Sequence, residues 1–187
     1  MAIKVIVGAG GAQQEGWLSL EHAQLDIRSR DSWLEWFQPG TVAAVLSEHV
    51  LEHLFPAEAA ATTRNIYELL APGGYWRIAV PDANNPDPKY QDNSRPDGPG
   101  QKRMRLWNDY PDHKVNYDLE SLSRLLQSAG FAIDPREWFD THGNFHRLPW
   151  RREDGYIKRS ADSFYIWLAY LWIDCWSTSL LVDAVKL

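Results

Sequence analysis

The sequence is nearly without cysteine: Cys175 is the only one in 187 residues. An internal disulfide is therefore excluded, and the chain suits a reducing compartment. It has no apolar run of about 20 residues, the length that spans a bilayer. The longest candidate, residues 164–176, stops at thirteen. Positive charge is also short, with 19 Lys and Arg against 25 Asp and Glu, net −6. That balance argues against broad attraction to nucleic acid or an anionic membrane. Met1-Ala2-Ile3-Lys4 runs directly into a strand-like stretch with no basic leader or cleavage site, so a cytoplasmic location is expected. Tryptophan, by contrast, is plentiful at ten. The length suits a single domain over 1–187 with a proper core.

The feature that says most is a glycine turn followed by an acid. Gly8-Ala9-Gly10-Gly11 closes the apolar run 3–7, and Glu21 closes the next, 17–20. Glycines at such a turn reach positive φ and let backbone approach a ligand closely. A carboxylate at the tip of the following strand can accept from both hydroxyls of a ribose. In dinucleotide folds that acid lies about 20 residues beyond the glycines, with a phosphate-binding helix between. Here Glu21 stands ten residues after Gly11, too close for a full helix. The turn fits a nucleoside but offers no helix N-terminus to a pyrophosphate, which points to S-adenosylmethionine.

Strand-like runs at 3–7, 17–20, 42–46 and 75–80 alternate with helix-like stretches at 31–37 and 56–70, the pattern of a parallel sheet wrapped by helices. Ala71-Pro72-Gly73-Gly74 reads as the stop of the second helix. Residues 84–112 carry prolines at 86, 88, 96, 99 and 111 and no periodicity, which predicts a long irregular loop. A helix is expected from Asp118 to Ala129, with Asp118 as N-cap and Gly130 as C-cap. Further strands are expected at 131–133, 137–139 and 179–186.

Five pieces in this order resemble the class I S-adenosylmethionine-dependent methyltransferases, in particular a small bacterial branch whose glycine turn runs straight into Gly-Trp and the second strand. They are Val7-Gly8-Ala9-Gly10-Gly11, Gly16-Trp17-Leu18-Ser19-Leu20-Glu21, the run Ser47-Glu48-His49-Val50-Leu51-Glu52-His53-Leu54, the stretch Leu70-Ala71-Pro72-Gly73-Gly74 leading into Arg77-Ile78-Ala79-Val80-Pro81-Asp82, and Ser128-Ala129-Gly130-Phe131. The resemblance implies an α/β, Rossmann-like fold: a mostly parallel seven-stranded sheet, helices on both faces, one reversed strand near the C-terminus. It gives Gly8, Ala9 and Gly10 to the methionine part of S-adenosylmethionine, Glu21 to the ribose hydroxyls and Asp26 to the adenine amino group. Ser47, Glu48 and His49 would follow the fourth strand and line the sulfonium pocket. No acid precedes Gly8, so the cofactor's ammonium is left without an assigned contact. The implied activity is methyl transfer to an oxygen or nitrogen of a small molecule or glycan precursor, with His113 as candidate base and His49 second.

Other readings compete for the same residues. His49-Val50-Leu51-Glu52-His53 spells H-x-x-E-H, a zinc-hydrolase signature if His49 and His53 share one helix face. Against it stand the strand end at which the motif begins and the want of a third ligand, so no metal is expected, and Glu52 and His53 read as helix surface. His113 serves equally as a helix-entry residue, and His142 and His146 as loop surface. Lys102, Arg103 and Arg105 either grip an anionic substrate or belong to a solvated loop. Residues 164–176 would carry self-association, or the contact surface of a catalytically silent interaction module.

Overall fold

A computed structural model describes residues 2–105, 112–161, 163–164 and 178–187, without the side chains of Met104 and Arg105. The apolar segment 164–176 therefore lies outside the described residues apart from Phe164, which is exposed.

Seven strands form one sheet: β1 (Ile3–Val7), β2 (Leu18–Leu20), β3 (Val42–Glu48), β4 (Leu70–Val80), β5 (Ala132–Phe139), β6 (Phe145–Arg147) and β7 (Leu180–Val185), in the order β2-β1-β3-β4-β7-β5-β6. Side chains alternate between faces along each strand. Val5 and Val7 enter one core cluster, and Ile6 between them enters the other. Both faces are covered, which is why these strands read as unbroken apolar runs.

The sheet is mixed, which corrects the expectation of a mostly parallel one. β2, β1, β3 and β4 pair in parallel, whereas β4 with β7, β7 with β5, and β5 with β6 pair antiparallel. The second reversed strand, β6, is built by a tight turn in which Asp140 Oδ1 accepts from the N–H groups of His142 and Asn144 and Gly143 takes φ +77°. Its three residues are all exposed, so no alternation announces it. The two runs expected at 131–133 and 137–139 are one strand whose register shifts at Pro135/Glu137, since proline has no N–H for the ladder.

Helices α1 (Arg30–Leu34), α2 (Pro56–Leu69) and α5 (Leu119–Gln127) bury Trp33, Ile66, Leu69, Leu122 and Leu126 in the larger cluster, against Val5, Val45, Ile78 and Val182. Among the described residues no helix covers the other face. There Ile6, Leu46, Ala79 and Leu181 pack against Ile157, Trp17 and Trp150, and helices are fewer than expected among the described residues. The physical reason is the short link between β1 and β2: these parallel neighbours are joined by residues 8–17, fewer than a crossover helix needs.

Two further helices, α3 (Pro88–Ser94) and α4 (Pro99–Arg105), occupy the stretch expected to be irregular. Both begin on a proline, the first helical position, where a missing N–H costs nothing. Asp87 caps α3 by accepting from the N–H groups of Lys89 and Tyr90. α2 does not end on a left-handed glycine either. Leu70 leaves it extended and begins β4, and Gly73 at φ +75° sits inside an irregular part of that strand. Asp118 does cap α5, in a reciprocal box with Ser121. Gly130 takes φ +104° two residues beyond the cap residue Ser128.

Because β1 to β4 run parallel, Gly8, Glu21, His49 and Asp82 emerge at one edge of the sheet, the carboxyl edge. Chain order reverses there, with β2 on one side of β1 and β3 on the other. Open parallel sheets bind ligands at such a point.

Candidate active site

The glycine turn and Glu21 are built as one unit. Glu21 Oε2 accepts from Gly10 N at 3.1 Å and Oε1 from Gly11 N at 2.9 Å. Gly8, Gly10 and Gly11 all take positive φ. A Cβ on Gly8 would stand 2.7 Å from Val50 Cγ2, so the turn lies directly against the end of β3. Space is open beside Gly10 and Gly11. Gln24 Oε1 accepts from Glu21 N, and Ala9 N donates to Leu20 O, which ties the β1 and β2 ends together. The Glu21 carboxylate is exposed, and each of its oxygens keeps acceptor capacity beyond the one amide it receives.

The other residues expected around a cofactor are engaged by the chain itself. Asp26 is gripped by Arg28 through Nε at 2.8 Å, Nη2 at 2.9 Å and the backbone N–H at 3.0 Å. The hydrogen bonds from the Arg28 side chain lower its pKa. Ser47 is buried and accepts from Trp76 Nε1 at 2.9 Å. Glu48 accepts from Lys158 N at 2.9 Å and Arg159 N at 2.8 Å and meets the Arg159 guanidinium at 3.3 Å. It thus clips the 155–161 segment onto the sheet. Gln14 works the same way, giving and receiving a hydrogen bond with the Tyr156 backbone. Ser47, Glu48 and His49 end or follow β3, the third strand in chain order, not a fourth.

His49 ends β3 in left-handed backbone, φ +56°, which is uncommon outside glycine. Its N–H donates to Ala79 O, its Nε2 lies 2.8 Å from Ser179 Oγ, and its Nδ1 lies 3.3 Å from Glu52 Oε1. Burial pushes its pKa well below the usual value, so the ring is neutral. A single 3₁₀ turn, Leu51–His53, follows. His49 and His53 therefore do not share an α-helical face, and the H-x-x-E-H geometry of a zinc hydrolase is not formed.

Glu52, expected at the surface, is 1% exposed. Neither carboxylate oxygen accepts a hydrogen bond among the described residues, and desolvation raises its pKa to about 8. Its main-chain carbonyl accepts from Lys114 N and Val115 N, which brings His113 alongside: His113 Nε2 stands 4.0 Å from Glu52 Oε1, and the His53 and His113 rings pack edge-on at 4.8 Å. Burial also lowers the pKa of His113. The sequence signal for this cluster was the Glu-His pair itself, joined by a histidine some 60 positions on. His142 and His146 lie apart in the β5–β6 hairpin, where His146 pairs with Asp140 and stacks on Trp138. Lys102 and Arg103 are exposed on α4.

A cavity of about 350 Å³ lined by Tyr75, Arg77, Trp150 and Asp183 lies toward the start of β4, away from the glycine turn. Its charges are already paired: Arg77 makes a bidentate pair with Asp183 at 2.7 and 2.8 Å.

The sequence matches the methyltransferase domain family over residues 9–135, more than half of the chain. The chain belongs to the class I S-adenosylmethionine-dependent methyltransferases. No curated protein matches it, and solved structures resemble it in fold at low identity. A methyltransferase from Thermotoga maritima shares 10% identity at a TM-score of 0.56, covering 100% of this chain and 83% of the other. One from Mesorhizobium loti shares 12% at 0.56, covering 98% and 90%. A third, the Burkholderia thailandensis 1,6-didemethyltoxoflavin-N1-methyltransferase with bound 1,6-didemethyltoxoflavin and S-adenosylhomocysteine, shares 13% at 0.53, covering 99% and 71%. Within this methyltransferase, the glycine turn fits an adenosyl group on its own geometry. The turn has free space beside Gly10 and Gly11, and an exposed carboxylate held by two amides stands next to it.

Proposed function

We propose that this methyltransferase transfers the methyl group of S-adenosylmethionine to an oxygen or nitrogen of a small molecule or a glycan precursor, as one domain in the cytoplasm. Gly8, Ala9 and Gly10 would face the methionine part, and Glu21 the ribose hydroxyls. The observation that carries this is the Glu21 carboxylate clamped by Gly10 N and Gly11 N at the topological switch of the sheet. Those two bonds fix both oxygens before any ligand arrives, so little ordering cost remains at binding. Asp26 would offer the adenine amino group only the acceptor capacity that Arg28 leaves.

The donor brings an already activated methyl on a sulfonium, so the chain's task is alignment. The end of β3 abuts the glycine turn through Val50. His113 would be the base that takes the proton of a hydroxyl or ammonium acceptor. His49, next to Val50 and with its pKa lowered by desolvation, is the second candidate. Residues 164–176 are our candidate for self-association. Among the described residues no helix is long and apolar enough to cross a membrane.

Titration calorimetry with S-adenosylhomocysteine tests the assignment. Glu21→Ala is expected to weaken binding by about 1–3 kcal/mol, the usual loss for a charged hydrogen-bond partner. Unchanged affinity in a folded variant would refute it.

A further inference from the structure

We propose that Glu52, His53 and His113 form a binding site for a borderline divalent cation, represented by Zn²⁺. Each residue offers one ligand atom, and these atoms lie within 4.8 Å of one another. Ligands about 2.1 Å from a tetrahedral ion stand roughly 3.4 Å apart. His113 Nε2 and Glu52 Oε1, at 4.0 Å, need only a small side-chain adjustment to reach that spacing.

Three independent features point the same way. The first is the carboxylate. Glu52 is 1% exposed and neither oxygen accepts a hydrogen bond among the described residues, an arrangement that costs free energy unless a cation or donor meets it. The second is the state of the two imidazoles. His113 Nδ1 lies 2.6 Å from Ser94 O, and His53 Nδ1 lies 3.3 Å from Asp112 O. A carbonyl can only accept, so each Nδ1 carries the proton and each Nε2 keeps its lone pair. This is how outer hydrogen bonds prepare histidine for a metal. The third is the surroundings. Lys114 N and Val115 N anchor the His113 segment on the Glu52 carbonyl, and His49 Nδ1 at 3.3 Å from Oε1 orients the carboxylate.

Two imidazoles and one carboxylate suit a borderline cation better than Mg²⁺ or Ca²⁺, which take all-oxygen sets. Three protein ligands leave a coordination position open. The triad differs from the H-x-x-E-H set, because His113 takes the place of His49 and comes from a distant segment. With His113 Nε2 on the ion, His49 is the imidazole left for proton transfer. The site does not depend on which methyl acceptor the protein takes.

The test uses the full chain, freed of metal with a chelator and titrated with ZnCl₂ against a chromophoric competitor. Wild type is expected to bind one Zn²⁺ per chain, and MgCl₂ at the same concentration is expected not to compete. Glu52→Gln and His113→Asn should each weaken Zn²⁺ binding at least about tenfold, with thermal unfolding confirming that both fold. His146→Ala, an exposed histidine outside the cluster, should leave affinity unchanged. Co²⁺ should give wild type an intense visible band that Glu52→Gln lacks. Binding equal to wild type in both cluster variants would overturn the proposal, as would no site tighter than millimolar, or loss only in His146→Ala, the mark of an adventitious surface ion. S-adenosylhomocysteine titration of the same samples reports separately on the cofactor reading.

Discussion

Two of the buried ionisable clusters among the described residues, one on the sheet and one beyond its carboxyl edge, are finished differently. In β4, Arg77 engages all three of its nitrogens: Nε and Nη2 on Asp183, and Nη1 on the carbonyls of Arg151 and Gly155, with Trp150 over the guanidinium. Asp183 receives Arg136 as well. Beyond the carboxyl edge, Glu52 is buried just as deeply, yet its oxygens accept nothing among the described residues. The first is closed by the chain and holds the 149–155 segment on the sheet. The second keeps capacity for something else. A buried charge whose partners are all present is structural. One whose partners are wanting marks a place where a ligand, a proton or an ion completes the fold.

The comparison breaks first at Arg77. Arg77→Ala takes the bidentate partner from Asp183, leaves it Arg136 alone, and is expected to cost about 3–5 kcal/mol in chemical denaturation. A loss below about 1 kcal/mol would mean that the closed cluster is not structural. Asp82 is the intermediate case, fully buried but satisfied by Asn84 N and Phe139 N. Desolvation outweighs those bonds and raises its pKa to about 6. The folded state therefore holds this proton to higher pH than the unfolded chain, where the carboxyl titrates near 3.8. Stability contributed by Asp82 is full below the unfolded value and is lost as pH rises through about 6, a span worth about 2–3 kcal/mol. Unfolding free energies across pH 3.5 to 7 should show this fall in wild type and lose it in Asp82→Asn; an identical slope in both would sink the assignment. Asp118 gives a half-buried standard: Asp118→Ala removes the α5 cap and should cost about 1 kcal/mol by thermal unfolding, and no change would mean the box in the structure is idle. Glu52→Gln should move least. At pH 6 the carboxyl already holds its proton, below a pKa of about 8, and the amide matches its shape, so metal-free stability should shift by less than about 1 kcal/mol. A loss as large as that of Arg77→Ala would show that both clusters are structural.

What could be read from the chain follows the range of the forces involved. The glycine turn and Glu21 were legible because positive φ and a strand-end acid are local demands, ten residues apart. Asp118 was legible for the same reason. The burial of Glu52 was not, because it is imposed by Lys114 and Val115 folding onto its carbonyl from far along the chain. Prolines 88 and 99 were read as breakers when each starts a helix, since proline disrupts a helix interior yet suits its first position. β6 escaped notice because three exposed residues carry no period. Glu48 was read as a pocket residue from its place at the strand end; that it also accepts from the backbone of Lys158 and Arg159 is a pairing that spacing cannot foretell.

The account turns on where adenosine lies, and a crystal structure with S-adenosylhomocysteine asks that directly. We expect the ribose hydroxyls within hydrogen-bond distance of the Glu21 oxygens, with Gly8 to Gly10 against the homocysteine. Ligand density at any other edge of the sheet, or a Glu21 carboxylate that never meets the ribose, would contradict it.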